Sequence, residues 1–177
     1  MKTKVIGVDF DDVIGDLVSE WLANYNRDNN DNLSEKDIKS WDIGSYTKIG
    51  KEMYDYLKHP SLYDNVKPVF NSLWGVHALR NMGYRVVFIT ASTTEQSGRK
   101  YLWLLENGYI ENKSDYYEAI DKSLIASDYL IDDNPENVEN AYGQGVVYTR
   151  EWNTSLIGYP RVNNWMEVID FFAKIGV

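Results

Sequence analysis

Asp9, Asp11 and Asp12 crowd three carboxylates into four positions at the end of the apolar run Val5-Ile6-Gly7-Val8. Like charges about 4 Å apart repel by roughly 1 kcal/mol in bulk water and about 4 kcal/mol at an effective dielectric of ~20. Such a turn must raise a pKa or splay unless a cation relieves it. Mg²⁺ suits the task because it takes oxygen ligands, keeps several waters, and is usually held by one or two carboxylates plus a substrate phosphate. The same residues also read as a solvated acidic turn closing a strand.

Two further runs end in polar groups. Arg85 to Ser92 is a buried β-type run that terminates in the hydroxyls of Thr90 and Ser92, and Tyr129 to Asp133 terminates in the pair Asp132-Asp133. Lys122 precedes Asp132 by ten residues, room for a short helical turn and a strand. If these strands run parallel, their carboxyl ends converge on one rim of an open α/β sheet, where ligands bind. Carboxylates, a hydroxyl and an ammonium gathered there form a set that handles phosphate. The plainer readings are that Thr90 ends a strand and Lys122 is a surface lysine. Asp12 and Asp133 read as solvated neighbours with a supporting role, and the lone His59 and His77 as structural.

The elements that must position these groups alternate strand and helix, which favours an α/β sheet with helices on both faces. Strands are expected near Lys4 to Asp9, Arg85 to Thr90, Tyr116 to Ile120, Tyr129 to Asp132 and Gly145 to Tyr148. The interval from Ile14 to about Pro68 interrupts this alternation. In it, Leu17, Glu20, Trp21 and Asn24 to Tyr25 mark an amphipathic helix, and Ser34 before Glu35-Lys36-Asp37 marks a capped helix start. Glu52 to Lys58 reads as another helix, ended by His59-Pro60. Lys100 to Asn107 reads as a packing helix of the core.

Taken together, Asp9-Phe10-Asp11-Asp12-Val13, Thr90 after Val86-Val87-Phe88-Ile89, Lys122, and Asp132-Asp133 resemble the four motifs of the haloacid dehalogenase (HAD) superfamily of phosphohydrolases. Within it the chain is most similar to the 5'(3')-deoxyribonucleotidases. Asp9 to Asp16 matches their Asp-x-Asp-Gly-Val-Leu-Ala-Asp opening, and Leu130 to Pro135 and Arg161 to Trp165 are similar too. Asp12 replaces the usual glycine, which reaches positive φ freely, although Asp tolerates it better than most residues.

The resemblance implies a Rossmann-like parallel sheet formed by residues 1–13 and 69–177, with a small helical cap of C1 type inserted at 14–68. It implies a Mg²⁺-dependent phosphoric monoester hydrolase acting on nucleoside monophosphates, foremost pyrimidine deoxyribonucleotides. Asp9 would be the nucleophile, forming an aspartyl-phosphate, and Asp11 the acid and base, with its backbone carbonyl on the metal. Asp9, Asp11 and Asp132 would hold Mg²⁺, with Asp133 in support. Thr90 would bond the transferring phosphoryl oxygens, with Lys122 neutralising charge. Ser92 and Lys100 would assist substrate binding, although Arg99 competes for the role of Lys100. Of the aromatics in the cap, Trp41 and Tyr63 are the candidates to stack on a base.

Composition limits the partners. A net charge of −9 repels a polyphosphate backbone, so duplex nucleic acid is not expected, whereas a small nucleotide is. Lys36, Lys39, Lys48 and Lys51 are interleaved with acids and read as a solvated face. With no cysteine, disulfides and cysteine-based zinc sites are excluded. No signal-peptide pattern and no apolar stretch of spanning length is evident, so a soluble cytoplasmic protein without membrane partners is expected, with a homodimer as an open arrangement. Phosphatases for a sugar phosphate or a polynucleotide 3'-phosphate, and a non-catalytic nucleotide-binding relative, share these motifs. A response-regulator receiver domain uses similar groups, but in it the lysine follows the acidic pair, whereas Lys122 precedes Asp132-Asp133.

Overall fold

The computed structural model describes residues 3–111 and 113–176. Six strands, β1 (Val5–Val8), β2 (Arg85–Thr90), β3 (Tyr116–Glu118), β4 (Tyr129–Asp132), β5 (Gln144–Tyr148) and β6 (Arg161–Val162), form one sheet in the order β3-β2-β1-β4-β5-β6. Every neighbouring pair is parallel. The chain leaves β1 toward β2 on one side and later returns to β4 on the other, so the order reverses beside β1. A ligand crevice opens at the carboxyl ends of strands at such a reversal. The five expected strands are present, with the third ending at Glu118; β6, two residues long, carries too little periodicity to be read from sequence.

Helices cover both faces unequally. Four of the five, α1 (Leu17–Asn29), α2 (Ser72–Asn81), α3 (Arg99–Glu106) and α5 (Trp165–Ile175), contribute to one large core with Ile6, Val8, Phe88 and Ile131. α2 and α5 approach closely because Gly75 has no side chain: a Cβ there would lie 2.3 Å from the Trp165 ring. The opposite face is thinner. Val87, Ile89 and Leu130 are covered there by Ala119, Ile125 and Ala141. The short α4 (Pro135–Glu139) also lies on that side, where a Cβ on Gly145, register partner of Leu130, would meet the Val138 carbonyl.

Between β1 and α2 the insertion holds α1 and four 3₁₀ segments, Glu35–Asp37, Ile43–Tyr46, Gly50–Lys58 and Pro60–Asp64. Leu17, Val18, Trp21, Leu22 and Tyr25 form the buried stripe of α1, the spacing of one helical face. The expected helix start at Ser34 is a single 3₁₀ turn, in which the Ser34 N–H and hydroxyl both donate to Asp37 Oδ2, at 2.8 and 2.7 Å. Glu52 to Lys58 is likewise 3₁₀ rather than α. The insertion packs into the same core as the sheet, through Trp21, Ile38 and Met53. Lys36, Lys39, Lys48 and Lys51 are exposed as expected, and so are His59 and His77, of which His59 joins two 3₁₀ segments through its backbone. Among the described residues no helix is long and apolar enough to cross a membrane.

Candidate active site

Asp9 is the first residue past β1, and its N–H still bonds the Ile131 carbonyl at 2.9 Å, holding it against the end of β4. The chain then turns sharply, with Ile14 and Gly15 N–H both donating to the Phe10 carbonyl. Asp12 takes φ +59° in this turn, the left-handed conformation a glycine would supply. Its side chain does what glycine cannot, accepting the Val18 N–H at 3.0 Å and so capping α1, whose formal N-cap residue, Asp16, makes no side-chain cap bond. The Arg150 guanidinium also holds the turn, donating to the Asp12 carbonyl through Nε at 2.8 Å and Nη2 at 2.5 Å.

Two buried lysines divide the acidic groups between them. Lys122 Nζ lies 2.5 Å from Asp9 Oδ1 and 2.7 Å from Asp132 Oδ2. Burial opposes its charge, but Asp132 and Asp9 outweigh this and hold the ammonium above its ordinary pKa. Lys100, fully buried, donates to Asp11 Oδ2 at 2.5 Å, to the Ala91 carbonyl at 2.6 Å and to Thr90 Oγ1 at 3.0 Å. Thr90 Oγ1 accepts from Lys100 and donates its own proton to the Ala91 carbonyl at 3.3 Å, and Lys100 rather than its neighbour serves this site. Arg99 is exposed and faces Asp64 at 3.5 Å.

Asp132 is held by the Asn134 N–H at 2.9 Å and by Asn137 Nδ2 at 3.2 Å from each oxygen. Asp133 accepts from Trp152 Nε1 at 2.8 Å, and its backbone carbonyl accepts from Asn153 Nδ2 at 2.7 Å. Burial pushes the Asp11 carboxyl up, with Lys100 opposing, and pushes Asp12 up further, with Arg150 opposing. It also raises Asp133, which the Asp132 charge reinforces.

Asp9, Thr90, Lys122 and Asp132 thus meet as the spacing suggested, and Lys100 and Asp11 join them from α3 and the turn. Two expectations need correction. Asp12 and Asp133 are not solvated neighbours, being 3% and 1% exposed. Asp133, expected in support, supplies an oxygen to the group able to hold an ion: one oxygen each of Asp9, Asp132 and Asp133 lie within 4.8 Å of one another. The Asp11 carboxylate turns to Lys100, which leaves its backbone carbonyl, as expected, as the group that could reach a cation.

Tyr63 is the second correction, because its ring does not offer a face to a base. It packs against Phe10, centroids 6.1 Å apart, with Lys100 Nζ 5.7 Å from its centre, and it is 2% exposed. Trp41, by contrast, is half exposed and lines a cavity of about 790 Å³ with Ala91, Ile120, Lys122, Asn134 and Asn137. Ser92 stands two residues past the end of β2 with its hydroxyl oxygen buried.

Sequence reasoning missed Asn137, Arg150, Trp152 and Asn153. Arg150 was within reach of it, standing two residues beyond the end of a recognised strand like the groups that were found. Asn137 follows the Asn134-Pro135 helix start by three residues.

The donor set fits a hard divalent cation. It consists of oxygens alone, and Asp133 Oδ1 is buried with no hydrogen-bond partner. A second acidic group, Asp12, Asp16 and Glu35, is countered instead by Arg150, which lies 3.4 Å from Glu35.

The sequence profile of the family described as 5' nucleotidase, deoxy (pyrimidine), cytosolic type C protein (NT5C) matches residues 3–175. The chain belongs to this family. It is similar to the 5'(3')-deoxyribonucleotidase of Clostridium acetobutylicum, 30% identical over 171 residues that cover 94% of this chain and 93% of that one. It is 31% identical over 167 residues to the 5'(3')-deoxyribonucleotidase of Bacillus subtilis, covering 93% and 96% of the two chains. The HAD-hydrolase YfnB of Bacillus subtilis, solved bound to magnesium, shares the fold with a TM-score of 0.62 at 12% identity, over 97% of this chain and 99% of that one. A HAD family hydrolase of Deinococcus radiodurans, solved with phosphate and sodium, gives a TM-score of 0.59 at 15% identity, over 94% and 93%. NT5C membership makes the chain a phosphoric monoester hydrolase of nucleotidase type on a HAD-like fold.

Proposed function

We propose that the chain is a Mg²⁺-dependent phosphomonoesterase acting on nucleoside monophosphates, foremost deoxyribonucleotides, through an aspartyl-phosphate on Asp9. The observation that carries this reading is Lys122, whose ammonium joins Asp9 to Asp132 at the sheet's carboxyl rim, opposite the Lys100–Thr90 pair. The names of the Clostridium and Bacillus relatives favour deoxyribonucleotides as the substrate class.

Asp9 attacks phosphorus in line as the bond to the leaving oxygen breaks, and Asp11 delivers the proton that oxygen needs. Burial keeps Asp11 readier to hold a proton than an exposed carboxyl, while the bond from Lys100 to Oδ2 leaves Oδ1 as the oxygen to carry it. In the second half Asp11 takes a proton from water, which displaces Asp9 from phosphorus and frees inorganic phosphate. The Thr90 hydroxyl donates to a phosphoryl oxygen throughout, and Lys122 offsets negative charge shared by Asp9 and the phosphate. Mg²⁺, held by Asp9, Asp132 and Asp133, would supply further positive charge beside the phosphate. Residues 14–68 act as the cap over a core of residues 1–13 and 69–177, with Trp41 as the aromatic against the nucleoside and Ser92 near the phosphate.

The test is phosphate release from dUMP, dTMP, ribonucleoside monophosphates, a sugar phosphate and a 3'-phosphorylated oligonucleotide, each with and without Mg²⁺. Turnover of deoxyribonucleotides that requires Mg²⁺ is expected. A panel in which nucleotides are inert and the sugar phosphate is hydrolysed overturns the substrate assignment.

A further inference from the structure

Asp133 is held differently from the other carboxylates of its cluster. Asp9 and Asp132 are gripped by Lys122, but Asp133 reaches to the turn after β5, where Trp152 Nε1 donates to its Oδ2 at 2.8 Å and Asn153 Nδ2 to its carbonyl at 2.7 Å. Its other oxygen is buried with no protein partner, and one oxygen of Asp133 lies within 4.8 Å of an oxygen of Asp9 and one of Asp132. Trp152 is itself buried, and its ring meets Trp41 of the insertion edge-on, at 6.2 Å between centroids and 66° between planes. Ion pairs flank this contact, Lys39 to Glu151 at 2.6 Å and Arg150 to Glu35 at 3.4 Å, and tie the same two segments together.

We infer that Trp152 is a positioning residue for the cation site, its indole N–H fixing one Asp133 oxygen so that the other faces the ion while its ring carries the position of Trp41 to that carboxylate. The inference rests on reading Asp9, Asp132 and Asp133 as the cation site. An indole N–H donates and cannot ligate, so it orients Asp133 without competing for the ion. Fixing one oxygen removes rotation that binding would otherwise have to freeze. Loss of such an outer partner costs about 10- to 100-fold in metal affinity or activity. Because Trp41 lines the cavity, a ligand that seats it and the cation raise each other's affinity by the same factor.

The experiment is a calorimetric titration of the substrate-free protein with Mg²⁺, comparing wild type, Trp152→Phe and Trp21→Phe. Trp21 is the matched control, an equally buried indole whose N–H donates to the Met53 carbonyl at 3.0 Å, within the insertion. Trp152→Phe is expected to bind Mg²⁺ about tenfold or more weakly, and Trp21→Phe as wild type. Trp152→Phe that binds within about twofold of wild type overturns the inference while leaving the cation site standing, since affinity then does not depend on this outer bond. A wild type that takes up no Mg²⁺ overturns both. Should Trp152→Phe fail to fold, solvent exchange of the Trp152 indole proton in ¹⁵N-labelled wild type replaces it. Exchange that slows at Mg²⁺ saturation, with Trp21 unchanged, supports the role; unchanged exchange at Trp152 overturns it.

Discussion

The Asp12 carboxylate accepts the Val18 N–H at 3.0 Å, so the residue that completes the acidic turn also caps the first helix of the insertion. Its left-handed backbone favours glycine, while the cap favours a side-chain acceptor. Asp12→Ala loses the cap and keeps the strain, and is expected to cost about 1–2 kcal/mol. Asp12→Gly is expected to cost less, and Asp12→Asn least, because Asn both caps and tolerates positive φ. Urea unfolding of the three variants checks the order.

Lys100 and Arg99 are adjacent cations with opposite surroundings. Lys100→Met strips the partner from a carboxylate that is itself 26% exposed, and losing a hydrogen bond between charged groups of this kind costs about 1.5–3 kcal/mol. Arg99→Ala removes an exposed pair at 3.5 Å and is expected to shift stability by less than about 0.5 kcal/mol. Equal effects in chemical denaturation would contradict the assignment of Lys100 to the site.

Tyr63 buries its hydroxyl without a partner, while burial and the Asp11, Asp12 and Asp9 charges keep that hydroxyl protonated. Removing an unsatisfied buried polar group recovers part of a penalty of about 1–3 kcal/mol, so Tyr63→Phe is expected to raise the melting temperature. Trp41→Ala, at a half-exposed ring beside the cavity, is expected to raise KM for a nucleotide with little change in stability. A Tyr63→Phe variant that loses substrate affinity while Trp41→Ala retains it would restore Tyr63 as the base contact.

Asp9→Asn is expected to lower turnover by at least about 10³-fold while leaving the fold intact, since Lys122 retains Asp132. Near-full activity in that variant removes Asp9 as nucleophile.

Cation binding should be visible in stability. At a Mg²⁺ concentration about a hundredfold above Kd, binding to the folded state alone adds about 2.7 kcal/mol. For a chain of this size that is about 5–10 °C in melting temperature. Asp132→Asn is expected to remove most of this increment, read by calorimetry with Mg²⁺ against chelator.

The site was legible in sequence where its residues stand at the ends of strong apolar strands. Val5 to Val8, Val86 to Ile89 and Tyr129 to Ile131 announce themselves by composition, and parallel order then carries Asp9, Thr90 and Asp132 to one rim. Lys122 was legible through its spacing to Asp132. What could not be read depends on contacts between distant segments. Nothing local marks Trp152 as the donor to Asp133, or separates Lys100 from Arg99, until α3 is docked. Tyr63 misled because an aromatic near the end of the insertion looks the same whether its ring faces a ligand or Phe10. The helices expected after Ser34 and over Glu52 to Lys58 kept their positions but not their pitch, which tertiary packing decides, and the 3₁₀ segments Ile43–Tyr46 and Pro60–Asp64 were not read at all.

Arg161 lies beyond the last acidic motif, yet its guanidinium donates to the Asn153 side chain at 3.0 Å, the Asn153 carbonyl at 3.0 Å and the Leu156 carbonyl at 2.7 Å. Asn153 in turn grips the main chain of Asp133. The final segment is therefore a buttress rather than an appendage. Replacing Arg161 alone would leave every strand and every acidic motif in the chain, and still remove the brace beneath one of its carboxylates.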